Sequence, residues 1–94
     1  MDEIVWLDEA LRDLENIGTY IAEDNPQAAA SIVRRIMEAI SILAWHPKLG
    51  RLTADGDTRR LTISNTPYIA FYRLRERIEI LAVFHTARKW PENL

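Results

Sequence analysis

The sequence predicts an α+β fold, in which a short N-terminal strand and an antiparallel helical hairpin pack on a three- to four-stranded antiparallel sheet. Two observations predict it. In the first half apolar residues recur at spacings of three and four, the period of one helix face. After Asp57 the chain becomes β-branched and aromatic, in short runs parted by turn-like sequences. A chain of 94 residues fits one domain, taken as residues 1–94. It buries only about 60 to 65 % of its unfolded surface, so its stability is modest and a lasting partner would raise it.

The elements follow in order. "EIVW" at 3–6 is a short strand for a sheet edge. From Leu7 to Glu23, Leu7, Leu11, Leu14, Ile17 and Ile21 form the apolar face of the first helix, with Asp8 and Glu9 at its electropositive start. "EDNPQ" ends that helix and begins another, because Asn25 is a good N-cap and Pro26 suits the first helical position. Ala29, Ile32, Val33, Ile36, Ile40 and Leu43 form the second stripe, which stops at "WHPKLG", where Pro47 disfavours helical geometry at His46. So short a link folds the two helices into a hairpin. The runs "RRLTIS", "PYIAFYRL" and "IEILAVFHT" are three strands, and the links "NT" and "RER" permit only hairpins. If Leu74 pairs with Ile78, strict alternation puts Ile69, Phe71, Leu81 and Val83 on one face. The sheet is then apolar on both faces, with helices for only one.

The composition excludes several kinds of chemistry. There is no cysteine, hence no disulfide, thiolate metal site or cysteine nucleophile. The two histidines and the spread of the acids suggest no metal site, and no cofactor is implied. The acidic opening "MDEIVWLDEA" and the lack of a long apolar run indicate neither secretion nor membrane insertion, so the expected location is the cytoplasm. A formal charge of −2 conceals a division. Residues 1–46 hold three arginines against nine acids, whereas residues 47–94 hold nine cations, seven of them arginine, against five acids. Arginine's planar fork suits carboxylates and phosphates, so the second half is the part fitted to an acidic peptide or a nucleic acid, unless its arginines only decorate a solvated sheet edge.

Four stretches together carry a resemblance: "A..DL..I..YI...NP.AA" from Ala10, "HPKLGR" from His46, "RRL.I...PYIAFYR" from Arg59 and "IEILAVFHTARKWP" from Ile78. In this order the chain resembles the RelE/ParE toxin superfamily of bacterial toxin–antitoxin systems, and most of all its ParE, or plasmid-stabilisation, branch. The resemblance implies a toxin neutralised by an acidic, ParD-like antitoxin whose C-terminal segment wraps it. It also implies a target: ParE-like toxins inhibit DNA gyrase without known catalysis, whereas RelE-like toxins cleave mRNA on the ribosome. A third outcome is a relic that keeps the fold and only binds an antitoxin.

The residues weigh these outcomes. Metal-independent RNA cleavage needs proton transfer and cations around the phosphorane. In a nuclease His85 would move a proton while Arg60, Arg73 and Arg88 stabilise charge; otherwise His85 is a strand-end histidine whose ring nitrogens bond a nearby backbone carbonyl or carboxylate. In a meander Arg59, Arg60, Arg73, Arg75 and Arg77 gather at one end of the sheet and His85 lies at the other. Five or six residues at about 3.3 Å each separate them by roughly 16 to 20 Å, too far to share one phosphate. Trp90 stands at the position of a late proton donor, and indole is a poor acid or base at neutral pH. The expected role of Arg51, Arg60, Arg73, Arg88, Lys89 and Trp90 is therefore to grip a partner. Gly50 with Arg51 also fits a loop that needs a permissive backbone. Trp6, Tyr20, Trp45, Tyr68, Tyr72 and Phe84 read as core or core-edge residues before base-stacking ones.

Overall fold

The structure, a computed structural model, describes residues 1–87. β1 (Ile4–Trp6) leads through Leu7 directly into α1 (Asp8–Ala22), and α2 (Pro26–Ser41) ends in one 3-10 turn (Ile42–Ala44). β2 (Arg51–Leu52), β3 (Thr58–Thr62), β4 (Tyr68–Leu74) and β5 (Ile78–His85) complete the sheet, whose strand order is β1-β5-β4-β3-β2. The α+β class and the helical hairpin are as the sequence predicts. Among the described residues the sheet has five strands instead of three or four, and it is mixed. β1 runs parallel to β5, since the chain leaves β1 into a helix and cannot turn back as a hairpin would, while the other pairs are antiparallel.

Local chemistry accounts for the helix ends. Asn25 caps α2 by accepting a hydrogen bond from the Ala28 N–H at 3.1 Å, and Pro26 opens the helix. α1 has no side-chain cap; Asp8 and Glu9 place carboxylates at its first turn instead. Its buried stripe differs from the expected one. Ala10 and Ile17 are buried and Leu14 and Ile21 pack beside them, whereas Leu11 is 48 % exposed. The core formed by these residues and Ile36, Ile40 and Leu43 lies between the hairpin and one sheet face, made by Leu61, Ile63, Tyr68, Ala70, Tyr72, Ile78, Ile80 and Val83.

The turns agree with the sequence. Asn65, at φ 63°, takes the left-handed position in the β3–β4 link, which asparagine tolerates better than most residues. The three residues of "RER" join β4 to β5, and Leu74 pairs with Ile78 as expected. The expected face sharing fails one turn further on. Phe71 pairs with Ala82 and Tyr72 with Ile80, so Leu81 is an extra residue in β5. One extra residue reverses the alternation beyond it. Val83 therefore joins Ala70 on the helix side, while Ile69 and Phe71 share the other face with Ala82 and Phe84. That second face is also not the open apolar surface expected. Phe71, Ile69 and Ala82 are 0 %, 3 % and 6 % exposed, and the Phe84 ring meets Phe71 edge-on with centroids 5.7 Å apart.

Candidate functional site

Three cations of the second half, Arg59, Arg73 and Arg75, are fixed by side-chain hydrogen bonds. At the turn end of the sheet, Arg75 holds both carboxylate oxygens of Asp57 at 2.8 Å, joining the β4–β5 turn to the β2–β3 loop. The hydrogen bond from Arg75 holds the Asp57 carboxyl below its usual range, and the same bond raises the guanidinium. On the sheet face away from the helices, Arg73 Nε donates to Glu79 Oε1 at 2.6 Å, between residues that pair across β4 and β5. Arg60 pairs with Phe71 and shares that face. These arginines gather as expected, except that Arg59 turns to the helix side with Tyr72.

His85 lies away from them in two respects. It pairs with Tyr68, five positions along β4 from Arg73, which at about 3.3 Å per residue is roughly 16 Å. It also lies on the opposite face, because the extra residue in β5 carries Val83 and His85 to the helix side. There its ring stands edge-on to Tyr68, with centroids 5.2 Å apart, and Nδ1 accepts the Ala87 N–H at 3.0 Å. A neutral ring so bonded carries its proton on Nε2. His85 is thus a bonded strand-end histidine, but the partner shown is a backbone N–H and not the carbonyl or carboxylate that the sequence reading expects.

A second group of residues is built around the segment "HPKLGRL". The Tyr72 hydroxyl accepts from the Gly50 N–H at 2.7 Å and donates to the Pro47 carbonyl at 2.8 Å. Arg59 donates to the Gly50 carbonyl at 2.7 Å and the Lys48 carbonyl at 3.3 Å. Burial pushes the Tyr72 phenol up, opposed in part by the Gly50 hydrogen bond, so it remains a protonated donor at neutral pH. Gly50 is required for this approach: a Cβ there would lie 2.6 Å from Tyr72 Cε1 and 2.7 Å from its oxygen. The glycine serves contact with the ring, not a left-handed backbone. Next in the chain, Asp55 binds the β2–β3 loop. Its carboxylate accepts from the N–H groups of Thr58 and Asp57, both at 2.8 Å, and from the hydroxyls of Thr58 and Thr53 at 2.8 and 3.0 Å. These bonds, that from the Thr58 N–H foremost, hold its pKa far below the usual carboxylate range.

The expected site residues therefore divide. Arg60 and Arg73 come together with Glu79 on one face, His85 is on the other, and Arg51 is exposed in the edge strand β2. Arg88, Lys89 and Trp90 lie outside the described residues. Among the described residues no three His, Cys, Asp or Glu side chains are placed to hold a metal ion, and no helix is long and apolar enough to cross a membrane. Sequence reading misses Tyr72 and Arg59 as holders of the 47–50 segment, because their partners are backbone groups remote in sequence. It also places Trp45 and Tyr20 in or near the core, whereas they are 69 % and 64 % exposed. The proline after His46 and the glycine at 50 are the only sequence signals near that segment.

This arrangement, with parallel β1 entering a helical hairpin and a meander whose edge is β2, is one that comparison with known proteins matches to toxins of the RelE/ParE superfamily. The chain belongs to the family described as "ParE toxin of type II toxin-antitoxin system, parDE", whose model matches residues 4–90. It is 44 % identical over 91 residues to "Putative toxin Y4kP" of Sinorhizobium fredii, covering 97 % of this chain and 95 % of the relative. It is 34 % identical over 88 residues to "Toxin RelE2" of Caulobacter vibrioides, covering 94 % and 99 %. A solved structure described as "Chromosomal ParDE TA system from P. aeruginosa" superposes with a TM-score of 0.79 at 27 % identity, over 90 % of this chain and 96 % of that one.

Proposed function

We propose that this toxin is held inactive in the cytoplasm by a cognate acidic, ParD-like antitoxin and that, once free, it inhibits DNA gyrase by binding and not by catalysis. The observation that carries the reading is the separation of His85 from Arg73 by roughly 16 Å along the sheet, and from both Arg73 and Arg60 by the sheet's thickness, because His85 faces the helices and they do not. Acid–base cleavage of RNA needs those groups around one phosphate. The antitoxin is supported by family membership and by the likeness to a ParDE system. Arg51 and the basic, aromatic residues Arg88, Lys89 and Trp90 are the proposed grip on partners; Arg60 and Arg73 contribute cationic surface from the sheet.

The deciding experiment sets purified toxin against gyrase in a supercoiling assay, beside ribosomes programmed with mRNA. Inhibition of supercoiling without mRNA cuts is the expected result. Unaffected supercoiling with codon-specific cuts would establish the ribosome-dependent mRNA endonuclease that the resemblance to RelE-like toxins offers as the alternative. Antitoxin binding with neither effect would establish the relic.

A further inference from the structure

β5 outruns its neighbour. β1 ends at Trp6, opposite Ile80, and the chain then enters α1, so from Ala82 to His85 the strand has β4 on one side and no described strand on the other. The backbone bonds show which donor faces that open edge. The Ile78 N–H donates to the Glu3 carbonyl at 2.8 Å and the Leu7 N–H to the Ile80 carbonyl at 3.0 Å, so residues 78 and 80 turn towards β1. Strict alternation would continue on that side with Ala82 and Phe84. The extra residue, Leu81, changes the parity, and Thr86 accordingly turns to β4, where its N–H donates to the Pro67 carbonyl at 2.8 Å. Val83, 3 % exposed, is left with its N–H on the open edge.

Asp13 supplies the partner that a sixth position of β1 would otherwise provide. Its carboxylate, carried on α1, accepts the Val83 N–H at 3.0 Å across 70 residues of chain. A backbone donor on a buried residue is costly to leave unpaired, and a carboxylate is among the strongest acceptors a side chain offers. The bond lies three residues before Thr86, where β4 last holds the chain, and five before Arg88, where the proposed grip begins. Both edges of the end of β5 are thus held, one by β4 and one by α1. A segment whose start is fixed loses less freedom when a partner takes it up.

We infer that Asp13 is a positioning residue for the grip formed by Arg88, Lys89 and Trp90: by holding Val83 to α1 it sets where the chain leaves the sheet. This rests on the reading of those three residues as a grip on partners. Two other roles for Asp13 give different outcomes. A residue that only stabilises the fold lowers toxicity whatever the grip carries, and a carboxylate that itself touches a partner needs its charge.

The test measures growth arrest, as the inducer level that halves growth, and amide exchange at Val83 by NMR. It compares full-length wild type, Asp13→Asn and Asp13→Ala, each with and without Arg88→Ala, Lys89→Ala and Trp90→Ala together. Asp13→Asn keeps an acceptor oxygen, so Val83 should stay protected and toxicity should stay within about threefold. Asp13→Ala should speed exchange at Val83 by about tenfold or more and lower toxicity about tenfold. In the chain that already lacks the three grip side chains it should change the remaining toxicity less than about twofold. Where the alanine variant does not fold, Asp13→Leu, of similar shape and without an acceptor, takes its place. Equal losses with and without the grip would show a purely stabilising role and overturn the inference. A loss for Asp13→Asn with Val83 still protected would show that the charge meets a partner directly, and would overturn it too, as would unchanged toxicity of Asp13→Ala with Val83 exchanging fast. Full toxicity of the three-alanine chain alone would overturn the grip reading itself, and this inference with it.

Discussion

Replacing Tyr72 by phenylalanine removes one oxygen and leaves the buried ring. The side chain is 0 % exposed, and its hydroxyl serves two backbone groups across 22 and 25 residues of chain. The Gly50 N–H bond is buried, so losing its acceptor strands a donor away from water, at about 1 to 3 kcal/mol. The Pro47 carbonyl is only partly buried and can recover some hydration, so its loss adds about 0.5 to 1.5 kcal/mol. Together they amount to about 2 to 4 kcal/mol, a large share of the roughly 5 to 15 kcal/mol that a domain usually has. At about 4 to 8 °C per kcal/mol for a chain of this size, the melting temperature should fall by roughly 8 to 32 °C. Urea unfolding followed by far-ultraviolet circular dichroism measures the change. The slope against urea should not change, because the surface exposed on unfolding is the same. A loss below about 0.5 kcal/mol would mean that water replaces the hydroxyl, and that Tyr72 does not hold the segment.

Gly50→Ala should destabilise by about 1 to 3 kcal/mol, because its Cβ meets a ring fixed in the core, and Tyr72→Phe should not rescue it, since Cε1 at 2.6 Å remains; a neutral effect in the same unfolding assay would show that the ring yields. Asp55 has a lowered folded pKa, so its stabilisation is complete above the unfolded value near 4 and is lost as pH falls through the folded one. Asp55→Asn should therefore melt lower than wild type at pH 7 and lose less on going to pH 3; parallel acid limbs would refute the assignment. His85→Ala should leave toxicity in cells within a few fold, whereas a loss of about a hundredfold would require acid–base catalysis. Removing the residues after Thr86 should weaken toxicity strongly, as judged by growth arrest; full toxicity would dismiss the tail as a grip.

Helices and turns were legible because their signals are local. Asn25 and Pro26 begin α2 through bonds and torsions within four residues, and the stripe through Ile36, Ile40 and Leu43 needs only the helical period. Leu11 shows the limit of that period. Spacings of three and four also fit the stripe one position away, through Ala10, Leu14, Ile17 and Ile21, and only the docked sheet selects between them. The parallel pairing of β1 and the two-residue strand β2 were less legible, since a short strand does not reveal its neighbour. Of the candidate site, the gathering of arginines was legible from the meander. Their engagement by Asp57 and Glu79 was not, because those partners lie 18 and 6 residues away and are chosen by strand register.

Leu81 has the largest consequence for function. With Leu74 opposite Ile78 and strict alternation, His85 would share a face with Arg73 and Phe71, and the sequence would retain a histidine above a field of cations. The extra residue reverses that. Val83 enters the core, where its N–H finds the Asp13 carboxylate at 3.0 Å, and His85 follows two residues later onto Tyr68. Packing explains the choice: the register places Val83 beside Ala70 in the core, whereas without the extra residue the smaller Ala82 would fill that position. The removal of His85 from the cationic face thus follows from filling the core.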